Sequence, residues 1–222
     1  MNDLFVHCLY DFFRNRAIFP IQSHFGDVIA FGGRVMDDSN PKYLNSGETY
    51  LFNKRYHLYA LNQVKKQRNL NNIILMEGYM DVVALAGIGV KNAVASLGTA
   101  LTKEQAKLLK KFVNTVYLCY DGDDAGQNAS DRAIPILQAE GLIVLVIEMP
   151  DGMDPDDFAK AYGPEGFAKA KSAALSAMEF QLKRLQRQYD MKNADQIVAY
   201  ATAAVAQIGK LENELEKERY LR

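Results

Sequence analysis

At 222 residues, 49% hydrophobic and 24% charged with a net charge of −1, the sequence has the composition of a globular protein with enough chain for a substantial core. No apolar run approaches the roughly 20 residues a membrane span needs, and no signal peptide opens the sequence. The two cysteines, Cys8 and Cys119, form no C-x-x-C pair, so neither a disulfide framework nor a zinc site is expected, and a reducing cytoplasm is the expected compartment.

In chain order, the first fifty residues read as strand-rich. "GDVIAFGGRVM" (26–36) sets β-branched and aromatic residues around a glycine pair, the pattern of a bent or bulged strand. "NPKYLNSGE" (40–48) reads as turn, and "HLYALNQVKKQR" (57–68) has helical spacing. Strands and helices then alternate. "NIILM" (72–76) is followed by helical "GYMDVVALAGIG", and "NAVAS" (92–96) by "TKEQAKLLKKF", capped by Thr102. "VNTVYLCY" (113–120) precedes helical "DAGQNASDRAIPILQAEG", and "LIVLVIEM" (142–149) precedes "DPDDFAKAYG". Four such alternations predict an α/β fold with an open, largely parallel sheet flanked by helices. After Ser172 the strand pattern vanishes into an Ala- and Leu-rich helical tail whose last helix runs to the end of the sequence without a cap.

Charge is distributed unevenly along this frame. From Tyr120 to Asp157 ten acidic residues face one base, Arg132, while Lys65-Lys66 and Lys103 to Lys111 are basic. An acidic patch in a basic surround suits a cation site that handles polyanions. The acids also cluster where strands end: Glu77 and Asp81 after "NIILM"; Asp121, Asp123 and Asp124 after "VYLCY"; Asp151, Asp154, Asp156 and Asp157 after "IVLVIEMP". In an open parallel sheet ligands gather beyond those carboxyl ends. One cluster is explained by helix capping, for which Asp124 is the candidate in its helix, with Asp157 as a first-turn charge. Three clusters on one rim point to a hard divalent cation such as Mg²⁺ or Mn²⁺. An EF-hand starting at Asp121 fails because Ala125 and Arg132 stand where oxygen ligands are needed.

The order "EGYMD", "DGDDAG", "DGMDPDD" resembles the Toprim domain of primases and topoisomerases. Upstream, "FRNRAIFPI", "VIAFGGRVM" and "PKYLNSGET" are similar to the basic segments of bacterial DnaG-type primases, and the likeness runs from about Phe12 to Phe158. The resemblance implies a Toprim-type sheet preceded by a strand-rich basic segment and followed by a helical tail. Residues 1–56 would be part of an N-terminal subdomain, 57–172 the catalytic domain and 173–222 a helical C-terminal subdomain. It implies synthesis of short RNA primers on single-stranded DNA from ribonucleoside triphosphates, with Mg²⁺ or Mn²⁺. Glu77, Asp121 and Asp123 are then the principal metal and catalytic residues, and Asp154 and Asp156 supply further carboxylates. Arg34, Lys42, Asn45 and Lys54 would contact nucleotide or template, with support from Asp81, Gly78 and Gly122. Zinc is expected only in a module absent from this chain, and contact with a replicative helicase only through a C-terminal domain absent here. No membrane partner is expected. A Toprim nuclease using the same acids, or a non-catalytic nucleic-acid scaffold, are the competing readings.

Overall fold

The computed structural model describes residues 11–150 and 152–221; Cys8 and Asp151 lie outside the described residues. Two sheets organise them. The first is antiparallel, in the order β1 (Arg16–Gln22), β2 (Val28–Val35), β3 (Tyr43–Asn45). The second has the order β5 (Ala93–Ala95), β4 (Asn72–Met76), β6 (Thr115–Leu118), β7 (Ile143–Val146), β8 (Leu175–Ser176), and all its pairings are parallel except the last. The mostly parallel α/β architecture is thus as the sequence predicts.

Period-two burial explains the layering. On β4, Ile73 and Leu75 face one core, together with Leu108 and Leu109 of α3 (Lys103–Lys110) and Ala133, Ile134 and Leu137 of α4 (Asp124–Ala139). Ile74 and Met76 face the opposite core, with Val82 and Leu85 of α2 (Tyr79–Gly87) and Phe158 and Phe167 of α5 (Pro155–Ser172). All four β4 side chains are fully buried, so each stabilises the fold by about 1.5–3 kcal/mol. The α5 span is two helical segments divided at Gly163, whose φ of 62° breaks the helix before Pro164. The tail adds α6 (Ala177–Gln186), α7 (Ala194–Ile208) and α8 (Glu214–Leu221).

Four local expectations are corrected. The "NPKYLN" turn contains β3, because Tyr43, Leu44 and Asn45 pair with Arg34, Gly33 and Gly32. The helix over 57–68 shrinks to α1 (Leu61–Val64): Ala60 takes a left-handed φ of 62°, and Tyr59 is held extended by a bridge to Ala95. Strands do not end at Ser172, since Leu175 and Ser176 close the sheet antiparallel to Val146 and Leu145. Finally, Asp123 rather than Asp124 caps α4, accepting the Gly126 N–H at 2.8 Å. The bulge expected in the 26–36 strand is present ahead of its glycine pair: the register steps from Ile21↔Ala30 to Gln22↔Val28 and passes over Ile29 of β2.

Candidate active site

The acidic rim is assembled by three strand ends. Glu77 follows β4, Asp121 and Asp123 follow β6, and Asp154 caps α5 beyond β7, accepting the Asp157 N–H at 2.7 Å. The β6 and β7 loops are stitched together by the Gly122 N–H donating to the Met153 carbonyl at 3.0 Å. Both glycines of that loop are obligatory packing positions. A Cβ on Gly122 would lie 2.0 Å from the Pro150 carbonyl, and one on Gly126 would lie 2.3 Å from that of Asp121. Gly78 opens α2, and its N–H donates to Asp81 Oδ2 at 3.1 Å.

These carboxylates strain against one another. Burial, then the charges of Asp121 and Asp123, push Glu77 up to about 7, with the Arg132 charge partly offsetting them. Asp81 is likewise raised to about 7 by burial and by Asp121 and Asp154. Asp121 is raised by burial, Asp154 and Asp123. Among the described residues no three such side chains close on one point as a finished ligand shell. Even so, the residues fit a hard cation. Glu77 Oε1 is buried with no hydrogen-bond partner, an arrangement that costs stability unless something positive completes it. An open rim of a few carboxylates matches Mg²⁺, which keeps water and phosphate ligands. Asp156 is engaged elsewhere, its Oδ2 accepting from Lys160 Nζ at 2.7 Å.

A polar seam joins this rim to the antiparallel sheet. Tyr79, directly after Gly78, is buried among the rings of Phe19, Tyr43 and Tyr59, with centroids 4.9, 5.6 and 5.6 Å away. Asn45 Nδ2 donates to the Leu97 carbonyl at 3.2 Å, and the neighbouring Ser96 hydroxyl donates to the Glu77 carbonyl at 3.3 Å. Arg34 Nε, Asn45 Oδ1 and Tyr79 Oη are, like Glu77 Oε1, buried without partners among the described residues. Four orphaned polar atoms along one seam mark a place built for a polar ligand. Arg34 and Lys42, with Asp37 and Asp38, also line an open cavity of about 540 Å³. Lys54 is different: it lies in a short 3-10 helix fastened to α3 by Gln105, and among the described residues no hydrogen bond or ion pair joins it to Arg34, Lys42 or the rim acids.

Tyr79 and Arg16 carry no local sequence pattern that marks their roles. Tyr79 carries the sheet-to-rim contact, and its hydroxyl is raised to about 12, chiefly by burial. Arg16 braces the β2–β3 turn, its Nη1 donating to the Gly33 and Lys42 carbonyls at 3.4 and 3.5 Å. Each sits inside a segment that carried the family resemblance, which was the available signal.

Fold and rim together define a Toprim-like catalytic domain, and the family model of that description matches residues 74–159. The model for the N-terminal domain of the DNA primase catalytic core matches residues 5–65. A DNA primase of Clostridium acetobutylicum is 44% identical over 217 residues, covering 96% of this chain and 36% of that one. A DNA primase domain from Pseudomonas aeruginosa superposes with a TM-score of 0.81 at 37% identity, covering 99% of this chain and 71% of that one. A DnaG primase catalytic domain bound to single-stranded DNA gives a TM-score of 0.80 at 38% identity, with 95% and 69% covered. The chain belongs to the bacterial DnaG-type primase catalytic-core family. It spans about a third of the length of the curated relatives it matches. One expectation is corrected here: the model for the DnaB-helicase binding domain of primase matches residues 178–222, inside this chain rather than beyond it. No helix among the described residues is long and apolar enough to cross a membrane.

Proposed function

We propose that this chain is the nucleotidyl-transfer centre of a primase that makes short RNA on a single-stranded DNA template. The observation that carries the reading is the seam of orphaned polar atoms joining the carboxylate rim to the basic sheet. A phosphodiester nuclease needs the rim but not a polar seam leading from it to Arg34, whereas a nucleotide polymerase needs both.

In this reading Glu77, Asp121 and Asp123 hold Mg²⁺ or Mn²⁺, with Asp154 close by and Asp156 and Asp81 as outer carboxylates. The bound ion supplies Lewis-acid stabilisation of the attacking and leaving oxygens. Arg34, Lys42 and Asn45 bind the triphosphate, and Lys54, held against α3, meets the template backbone. Gly78 and Gly122 let backbone approach the ligand. Residues 1–56, 57–172 and 173–222 act as basic, catalytic and helical subdomains. In α7 the exposed side chains of Ile197, Val198 and Val205 form the face offered to a replicative helicase.

The test is primer synthesis from ribonucleoside triphosphates on single-stranded DNA with Mg²⁺ or Mn²⁺, using the chain extended to its relatives' full length. Lys42→Ala should weaken ATP binding by about 1.5–3 kcal/mol, the worth of one charge-assisted phosphate contact, while leaving thermal stability unchanged. Metal-dependent cleavage of DNA without any nucleotide incorporation would turn the assignment into a nuclease.

A further inference from the structure

Arg132 is the single base among the ten acids between Tyr120 and Asp157, and its charge partly offsets the repulsion on Glu77. Among the described residues its guanidinium makes no hydrogen bond or ion pair, although the adjacent Asp131 is paired with Arg184. It stands on the wall of a cavity of about 430 Å³, whose other walls include Glu77, Thr99, Leu101, Ala129 and Ile136. That volume is within the roughly 300–1,000 Å³ range of small-molecule sites. Its chemistry is divided: aliphatic side chains of α4 and Leu101 on one side, a carboxylate, a hydroxyl and a cation on the other.

The position of this cavity relative to Glu77 gives it a role. The antiparallel sheet with Arg34 and Lys42 reaches the rim through Tyr79, and through Asn45 it reaches Leu97 in the loop that borders the cavity. The cavity opens on the face of the parallel sheet where α3 and α4 pack. Glu77 belongs both to the rim and to the cavity wall. In-line transfer requires the attacking hydroxyl and the leaving pyrophosphate to lie on opposite sides of the reacting phosphorus. With the triphosphate held by Arg34 and Lys42, the cavity is the space at Glu77 left for the attacking nucleotide. This placement rests on the polymerase function proposed above.

We propose that the cavity between Glu77 and Arg132 is the subsite for the 3′-terminal ribonucleotide of the growing RNA. The α4 aliphatic wall takes the nucleoside, Arg132 takes the phosphate linking it to the preceding residue, and its ribose hydroxyls face Glu77. A pocket this size, rather than a continuous groove, suits one chain end and not a template that must pass through.

Fluorescence polarisation with a 5′-labelled ribotrinucleotide in the presence of Mn²⁺ tests the assignment on the 222-residue chain. Arg132→Ala should weaken trinucleotide binding about tenfold, with Arg132→Lys recovering part of the loss. Ala129→Leu, which fills the cavity without altering charge, should weaken it similarly. ATP affinity should stay within about twofold in all three variants. If Arg132 only moderates the rim's repulsion, Arg132→Ala would tighten Mn²⁺ binding and leave the trinucleotide unaffected, which overturns the subsite. Loss of labelled deoxyoligonucleotide binding with the ribotrinucleotide unaffected would overturn it too, by assigning the cavity to template. A parent chain that binds no ATP sinks the polymerase reading, and the subsite with it; ATP binding with an indifferent cavity sinks the subsite alone.

Discussion

The protein places charge in two opposite ways at two surfaces of the same sheet. Where α6 meets the catalytic domain, every acid has a base: Asp131 is paired with Arg184, and Glu148 lies 2.5 Å from Lys183 and 3.7 Å from Arg187. Arg184 also donates to the Gln127 carbonyl at 2.8 Å and to Asn128 Oδ1 at 3.0 Å, so its guanidinium is well satisfied. At the rim, by contrast, Glu77, Asp81 and Asp121 are pushed toward protonation by burial and by each other. The seam under α6 is complete as it stands. The rim is complete only with a cation, and the folded chain carries its repulsion until one arrives.

The largest effect expected from this contrast is at the rim. Asp123→Asn keeps the α4 cap, because Asn caps as well as Asp, but removes a charge facing Glu77 and Asp121. Even indirect partners of metal ligands are worth about 10–100-fold, so Mn²⁺ affinity should fall by about 100-fold or more with the fold intact. Calorimetry on the variant matching the parent would remove the cation from this rim. Next comes the α6 seam. Arg184→Ala strips a guanidinium from Asp131 and two further acceptors, and should cost about 3 kcal/mol in urea unfolding. A cost under about 1 kcal/mol would show that apolar contacts such as Phe180 hold α6 in place without it.

Much of this contrast was legible in the sequence, for a physical reason. A carboxylate run directly after a buried strand is visible without any tertiary knowledge, because strand-end position is set by local pattern. So Glu77, Asp121 and Asp123 could be placed on one rim before any coordinates. The unreadable parts depend on distant partners. Tyr59 is extended because it bridges to Ala95, so the periodicity of residues 57–68 misleads. Leu175–Ser176 is a strand only because β7 offers an edge. The choice of Asp123 over Asp124 as cap turns on the backbone of one residue, Asp123, at φ −84° and ψ 174°, which composition does not encode. Tyr79 became important through three rings contributed by segments far from it in sequence.

The rim's repulsion should also be visible as a pH dependence in chelator-treated protein. Asp81 and Glu77 have folded values of about 7 against unfolded values near 4. The folded state therefore binds more protons than the unfolded one between those limits. Stability is greatest below the lower value, falls as pH rises toward 7, and levels off above it. Asp81→Asn retains an oxygen for the Gly78 N–H while deleting the charge. It should raise stability at pH 8 by roughly 1–2 kcal/mol and leave it unchanged near pH 4, a magnitude held below the full shift because the three acids titrate together. A Tm difference that is equal at both pH values would mean the gain has nothing to do with ionisation.

The smallest effect is expected at the outer edge of the α6 seam, and it separates paired from merely neighbouring charge. Lys183 is half exposed, and Glu148 retains Arg187 when Lys183 is lost. An exposed pair contributes about 0.2–1 kcal/mol, diminishing with salt, because water already screens both charges and the lysine chain gives up rotamer freedom to make it. Lys183→Ala should therefore shift the urea midpoint by an amount near the lower end of that range, and by less at high ionic strength. Under the same rise in salt, the cost of Arg184→Ala should hardly change, since its partners are backbone and amide oxygens as well as a carboxylate. If both variants lost their effect together in salt, the α6 seam would be held by long-range charge, as the rim is, and the contrast between a finished surface and one awaiting its cation would collapse to a difference of degree.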